Sequence, residues 1–180
     1  EEVAVPVLII GGGPAGLSAA IELGKLGVRT LVVDDKDRLG GKLVLQTHKF
    51  FGSVEDSYAG TRGFEIGNIL AAEIAKHPSV EVWLNTTAVA VFSDRIVGVV
   101  RDGRYITIQQ AKLMVATGAR EKMLSFPGNT LPGGYGAGAF QTLVNRDLVK
   151  SSERILIVGG GNVGLIAGYH AIQAGIEVVA

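Results

Sequence analysis

One eleven-residue pattern occurs twice in this chain, 148 positions apart and without gaps. Val7-Leu8-Ile9-Ile10-Gly11-Gly12-Gly13-Pro14-Ala15-Gly16-Leu17 lies over Ile155-Leu156-Ile157-Val158-Gly159-Gly160-Gly161-Asn162-Val163-Gly164-Leu165, and further on Gly27 falls over Gly175. Each copy opens with a short, continuous apolar run, the pattern of a parallel strand buried on both faces. Glycines then permit a tight turn, and helical spacing follows until a glycine suited to the left-handed C′ position. In the first helix Leu17, Ala20, Ile21 and Gly24 share one face while Glu22 and Lys25 lie on the other. Pro14 occupies the first turn, where its missing N–H costs nothing. A strand, a glycine turn and a helix used twice call for a parallel α/β sheet.

Between the copies the elements are short. Thr30–Val33 reads as a second strand ending in Asp34-Asp35, and residues 63–76 as a helix ended by His77-Pro78. Residues 80–110 hold β-branched runs around the turn signal Asp102-Gly103, which predicts a β-meander. Residues 112–116 predict another strand, running into Thr117-Gly118. Phe126-Pro127-Gly128 and Leu131-Pro132-Gly133-Gly134 mark a crossing between lobes, with a short helix expected over 137–146. The expected lobes are therefore 1–124 and 125–180. The second is so short, and its second strand so incomplete, that the chain is expected to be a piece of a larger protein.

Composition narrows the function. The 17 basic and 17 acidic residues leave no surplus positive charge for a polyphosphate backbone, so nucleic acid is not an expected partner. Glycine supplies 26 of 180 residues, about twice the usual share of roughly 7%, and gathers where backbone would approach a ligand. Cysteine is absent, which removes thiolate metal sites, disulfides and thiol redox chemistry from this span. That absence is compatible with a reducing cytoplasm, the expected location. Residues 3–21 and 155–176 carry no Asp, Glu, Lys or Arg, yet each is broken by three glycines, so no membrane span is expected. No spacing of His, Asp and Glu suggests a metal site.

Gly11-x-Gly13-x-x-Gly16 follows a strand and opens a helix. The first glycine allows the turn, the second lets a pyrophosphate meet the backbone, and the third lets helix and strand pack closely. Asp34 follows Gly11 by 23 positions, where a carboxylate at a strand end can accept ribose hydroxyls. Gly159-x-Gly161-x-x-Gly164 repeats the spacing. Its ribose-reading residue would fall at position 182, so the span leaves NAD and NADP undistinguished.

The first fingerprint with Gly11, Gly13, Pro14, Ala15 and Gly16, the acidic strand end, Leu39-Gly40-Gly41, Ala116-Thr117-Gly118-Ala119 and the second fingerprint together resemble the two-dinucleotide-binding-domain flavoproteins. These are the pyridine nucleotide–disulfide oxidoreductases and their disulfide-free relatives, and the resemblance covers the whole chain. It implies a Rossmann-like FAD-binding lobe and the start of a second, NAD(P)H-binding lobe. Gly11, Gly13, Pro14, Ala15 and Gly16 would line the FAD pyrophosphate, and Asp34 or Asp35 would meet the adenosine ribose. Gly40, Gly41 and Lys42 match the stretch leading toward the flavin, and Thr117-Gly118 the crossover strand near the cofactor. Val89 matches a residue whose backbone meets adenine, although a core strand residue is an equal reading. Gly159, Gly161, Asn162 and Gly164 would hold the NAD(P) phosphates.

Both windows where the family carries redox cysteines, 42–45 and 133–138, lack them here. Residues 117–121 with the glycine-rich run to Ala139 look most like flavin subunits of multi-component amine, sarcosine and opine-type dehydrogenases. The resemblance implies hydride transfer between NAD(P)H and FAD, with electrons passing to a small-molecule substrate or a partner redox subunit. The alternative is a non-catalytic assembly or binding subunit, suggested by the lack of a visible catalytic side chain. A homodimer through an unpaired sheet edge is a further expectation. In residues 47–52, His48 or Lys49 approaches the flavin ring, or two phenylalanines anchor a surface loop. His77 and His170 read as structural residues at a helix end and on a helix face.

Overall fold

The computed structural model describes residues 1–180. Two compact units emerge, Glu1–Val44 with Phe64–Gly118, and Leu45–Gly63 with Ala119–Ala180. They cut the chain differently from the expected lobes 1–124 and 125–180, because residues 45–63 find their buried partners far along the chain. No local pattern announces such a contact.

In the first unit a six-stranded sheet has the order β3-β2-β1-β6-β5-β4. Its strands are β1 (Glu2–Ile10), β2 (Thr30–Val33), β3 (Val80–Trp83), β4 (Thr86–Val91), β5 (Ile96–Arg101) and β6 (Arg104–Val115). β1 runs parallel to both β2 and β6, and β2 parallel to β3, whereas β4, β5 and β6 are antiparallel. The fold is therefore the expected Rossmann-like α/β type with a meander. Two details differ from the sequence reading. β3 belongs to the parallel sheet, so the meander starts only at β4. The end of the expected meander and the expected strand at 112–116 are one strand, because Gln109 pairs with Ile96 of β5 on one side and Ala4 of β1 on the other. Backbone pairing on both sides carries β6 through a polar stretch that interrupts its apolar pattern.

Helix α1 (Pro14–Lys25) buries Gly16, Leu17, Ala20, Ile21 and Gly24, the face expected from spacing, and has Pro14 in its first turn. Glu22 and Lys25 pair at 2.7 Å on the exposed face. A β-carbon on Gly24 would lie 2.7 Å from His77, which explains both residues: the helix end passes directly over that imidazole. The core joins Leu8, Leu31, Val33 and Trp83 of the parallel strands to Val97, Val99, Ile106 and Ile108 of the meander. Helix α3 (Gly63–Ile74) completes this unit and ends before His77, as expected.

The second unit contains α2 (Val54–Ser57), α4 (Ala137–Gln141) continuing into a π-helical turn (Thr142–Arg146), β7 (Arg154–Ile155), α5 (Asn162–Gln173) and β8 (Glu177–Val178). Phe140, Ala167, Ala171 and Ile176 form its core. Glu121 clamps the connecting segment, its two carboxylate oxygens accepting the Ala137 and Gly138 N–H groups at 2.9 Å each. The expected buried strand over 155–158 is corrected here: ladder pairing covers only Arg154 and Ile155, and Leu156 and Val158 are 65% and 63% exposed. β1 has a neighbour on each side, whereas β7 pairs with the two-residue β8.

Leu17 is fully buried and Leu26, just past the same helix, is 77% exposed. Leu17→Ala is expected to destabilise the first unit by about 2–5 kcal/mol, and Leu26→Ala by less than about 0.5 kcal/mol, in urea denaturation. Equal losses would show that α1 does not pack through the face described.

Candidate functional site

At the carboxyl end of β1 the chain turns so tightly that its atoms leave no room for side chains. Gly11 has φ +113°, and a β-carbon there would collide with the Ala116 carbonyl. A β-carbon on Gly16 would collide with the Gly11 carbonyl. Gly13 differs from both, since its β-carbon would meet only the Gly41 Cα at 3.8 Å. Gly13 also caps α1 without any side-chain hydrogen bond, and Leu17 N–H to the Gly13 carbonyl at 2.9 Å is the first helical bond. The first N–H groups of α1 therefore have no intrahelical acceptor and face the same opening as Gly13, with Pro14 and Ala15 exposed beside it. The strand order reverses at β1, with β2 on one side and β6 on the other, and the carboxyl ends of strands at such a reversal form a crevice.

The other expected residues of this unit surround the turn to different degrees. Asp34 lies buried at the end of β2, with Oδ2 accepting the Gly12 N–H at 2.5 Å and Oδ1 the Lys36 N–H at 2.9 Å. Asp35 is exposed and paired with Lys36 at 2.6 Å, so Asp34 is the carboxylate against the turn. Each Asp34 oxygen retains a lone pair for a further donor. Gly40 N–H donates to the Gly12 carbonyl at 2.8 Å, and a β-carbon on Gly41 would sit 2.8 Å from the Gly13 Cα. The Leu39-Gly40-Gly41 loop thus roofs the glycine turn, while Lys42 is exposed in the 3₁₀ turn that follows. Thr117 and Gly118 follow β6 after Ala116 and are exposed, Gly118 at φ +75°. Val89 is exposed where the β4–β5 register shifts between Ala88 and Ala90. A residue at such a bulge has backbone groups outside the ladder, and the exposed Val89 side chain lies outside the core.

The second turn reproduces the first in backbone form. Gly159 matches Gly11 at φ +113°, Gly175 matches Gly27 at φ +69°, and a β-carbon on Gly164 would collide with the Gly159 carbonyl. Gly161 caps α5 with φ −76° and ψ 175°, as Gly13 caps α1 with φ −81° and ψ −178°. Asn162 opens α5 and is exposed. Around Gly159, Gly160 and Gly161 an added β-carbon would meet nothing within 4 Å, so this turn stands open where the first is enclosed.

The second unit also gathers a polar cluster that spacing did not reveal. His48 is 3% exposed, with its ring stacked on Phe51 at 4.6 Å and 5.7 Å from the ring of fully buried His170. Phe50 is exposed but its ring stacks on His48 at 5.5 Å, so the two phenylalanines of the expected loop meet at a buried imidazole. Burial holds the His48 pKa below its ordinary value, and burial reinforced by His48 lowers that of His170 to about 4. Asn145, from the π-turn, contacts His170 Nδ1 at 3.0 Å. No sequence signal links residues 48, 145 and 170, although the glycine triplet at 11–13 did flag Gly12.

The sequence signature of the pyridine nucleotide-disulphide oxidoreductases matches residues 5–180. This chain belongs to that family. It is 33% identical to hydrogen cyanide synthase subunit HcnB of Pseudomonas protegens across 95% of this chain and 36% of that protein. It is 30% identical to the alpha subunit of sarcosine oxidase of Rhizobium meliloti across 97% of this chain and 18% of that protein. The crystal structure of L-proline dehydrogenase from P. horikoshii superposes with a TM-score of 0.85 at 26% identity, covering 99% of this chain and 35% of that one. The chain thus spans about a third or less of these relatives. The expected likeness to sarcosine- and opine-type subunits is met. No helix of this family member is long and apolar enough to cross a membrane.

The glycine geometry separates folding from ligand contact. Gly16→Ala and Gly164→Ala force a β-carbon into a carbonyl and are expected to lower the melting temperature of their units by about 5 °C or more. Gly13→Ala and Gly161→Ala are expected to stay within about 2 °C of the parent by differential scanning calorimetry, because neither β-carbon meets a close atom. A large loss at Gly13 or Gly161 would contradict this division.

Proposed function

We propose that the first unit holds FAD, that the turn at Gly159–Gly164 begins an NAD(P)H site, and that the whole protein exchanges a hydride between the two. The observation that carries this is the cradle at Gly13: an uncapped helix start, a backbone approachable to van der Waals distance, and a buried carboxylate behind it. Gly11, Gly13, Pro14, Ala15 and Gly16 fit a pyrophosphate, whose negative charge is favoured by the N–H groups and dipole of α1. Asp34 has oxygen capacity left for ribose hydroxyls. Gly40 and Gly41 close over the turn, Thr117 and Gly118 border it, and the free backbone at Val89 fits an adenine edge. Lys42 is exposed beside the roof, where its ammonium would add positive charge toward a bound anion.

FAD, when bound, supplies the two-electron chemistry itself. This chain's contribution is to hold it, to exclude water by the roof at Gly40 and Gly41, and to present Gly159, Gly161, Asn162 and Gly164 to a second dinucleotide. Gly12 and Gly13 are fixed by Asp34 and by the roof, so the pyrophosphate cradle is set before binding. The relatives named as oxidase subunits support a partner redox subunit or small-molecule substrate as the destination of the electrons. The absence of cysteine supports a route without a thiol in this span and a cytoplasmic setting.

In the full-length protein, Gly13→Ala is expected to empty the FAD site, seen as loss of flavin absorbance after purification. Gly161→Ala is expected to keep the flavin and slow its anaerobic bleaching by NADH or NADPH by about tenfold or more. Flavin lost at Gly161 and kept at Gly13 would reverse the assignment. Bound flavin that neither donor bleaches in the parent protein would favour the non-catalytic assembly subunit instead.

A further inference from the structure

We propose that His170, with His48 beside it, is an acid-operated latch: neutral, it holds residues 45–51 against α5 and the π-turn, and protonated, it lets them go. Four contacts within the second unit define what is held. Asn145 Nδ2 donates to the Leu45 carbonyl at 2.7 Å, Gln46 Nε2 to Gln141 Oε1 at 3.2 Å, and Thr47 Oγ1 to Gln173 Oε1 at 2.9 Å. The Phe50 ring meets Tyr169 edge-on at 5.6 Å. Among these, Asn145 alone hydrogen-bonds both the segment and a histidine ring.

The direction of one hydrogen bond makes the arrangement selective for the neutral ring. The Leu45 carbonyl only accepts, so it is the amide nitrogen of Asn145 that faces it. That same nitrogen lies 3.0 Å from His170 Nδ1. Nδ1 is therefore an acceptor and the proton of the neutral imidazole is on Nε2. Protonation at Nδ1 sets a donor against a donor, and Asn145 cannot turn its amide round without losing Leu45. The buried Nε2 of His170 and Nδ1 of His48 have no hydrogen-bond partner, so neither ring has an anion or acceptor waiting to stabilise a charge.

The surroundings add no compensating charge. The titratable groups facing His170 are His48, 5.7 Å away, and Tyr169, 6.0 Å away, while Phe51 and Asn145 are neutral. On the same elements Lys49 is exposed and Arg146 is held by Asp147 at 2.7 Å. Burial and His48 both lower the His170 pKa, to about 4, and burial lowers that of His48. The opened segment would return His170 to roughly 6.5. Between those values the open form binds a proton that the latched form refuses, so opening increases as pH falls through that window and levels off below it.

The test is hydrogen–deuterium exchange of the full-length protein at pH 7.5 and 5.0, corrected for intrinsic exchange rate. Peptides covering 45–51 and 142–146 are expected to open at least tenfold more at pH 5.0, while a peptide covering Leu8 and Ile9 keeps its protection. His170→Asn places an oxygen acceptor near the Nδ1 position and leaves only His48 to titrate, so its 45–51 peptide is expected to open several-fold less than the parent's at pH 5.0. Equal protection of the parent at both pH values, acid opening undiminished in His170→Asn, or simultaneous loss at Leu8 and Ile9 would overturn the latch. Should His170→Asn not fold, the His170 ring titration of the parent by NMR decides: a midpoint well below 6.5 that tracks amide shifts in 45–51 supports the latch, and one at or above 6.5 refutes it.

Discussion

The Gly11 carbonyl lies where any side chain on Gly16 would have to begin. This single close approach lets α1 start within one turn of the end of β1, so that the helix axis can lie across the sheet and bury Leu17, Ala20 and Ile21. The same compression directs the uncapped helix start at the opening beyond the strands. Folding and the proposed cradle thus share one constraint, and Asp34 and the Gly40–Gly41 roof are arranged around it. A polar contact, Asp34 on the Gly12 N–H, secures a turn that has no side chains of its own.

The second copy shows what that constraint does by itself and what it leaves to the neighbours. Backbone angles at Gly159, Gly161 and Gly175 follow those at Gly11, Gly13 and Gly27, since local sterics set them. Burial does not follow. Leu17 is fully buried but its counterpart Leu165 is 66% exposed, and α5 instead buries Ala167, His170 and Ala171. The helices are alike in backbone; within residues 1–180 one lies on a six-stranded sheet and the other packs with α4 and β8.

Function divides along the same line. The turn at Gly11–Gly16 rests on backbone geometry, in which Gly11 and Gly16 have no room for a side chain while Gly13 stands open. The cluster around His170 rests on side chains from three separated segments. Its chemistry is that of a buried neutral base, and it lies in residues that the local motifs treat as loop and helix surface.

The sequence alone determined both glycine turns, the face of α1, the parallel strands β1 and β2, and Asp34 at the strand end, because each depends on residues within one turn or one strand. It left Asp34 and Asp35 as alternatives for a ribose contact, and only the folded chain shows one turned toward Gly12 and the other to solvent. Tertiary structure also decided that β6 is continuous, since pairing with β1 and β5 outweighs a polar interruption. It exposed Val89 at a register shift and buried His48 against residues more than a hundred positions away. The physical reason is common to all of these: short-range sterics are written in neighbouring residues, whereas burial and strand pairing belong to whichever distant segment arrives beside them.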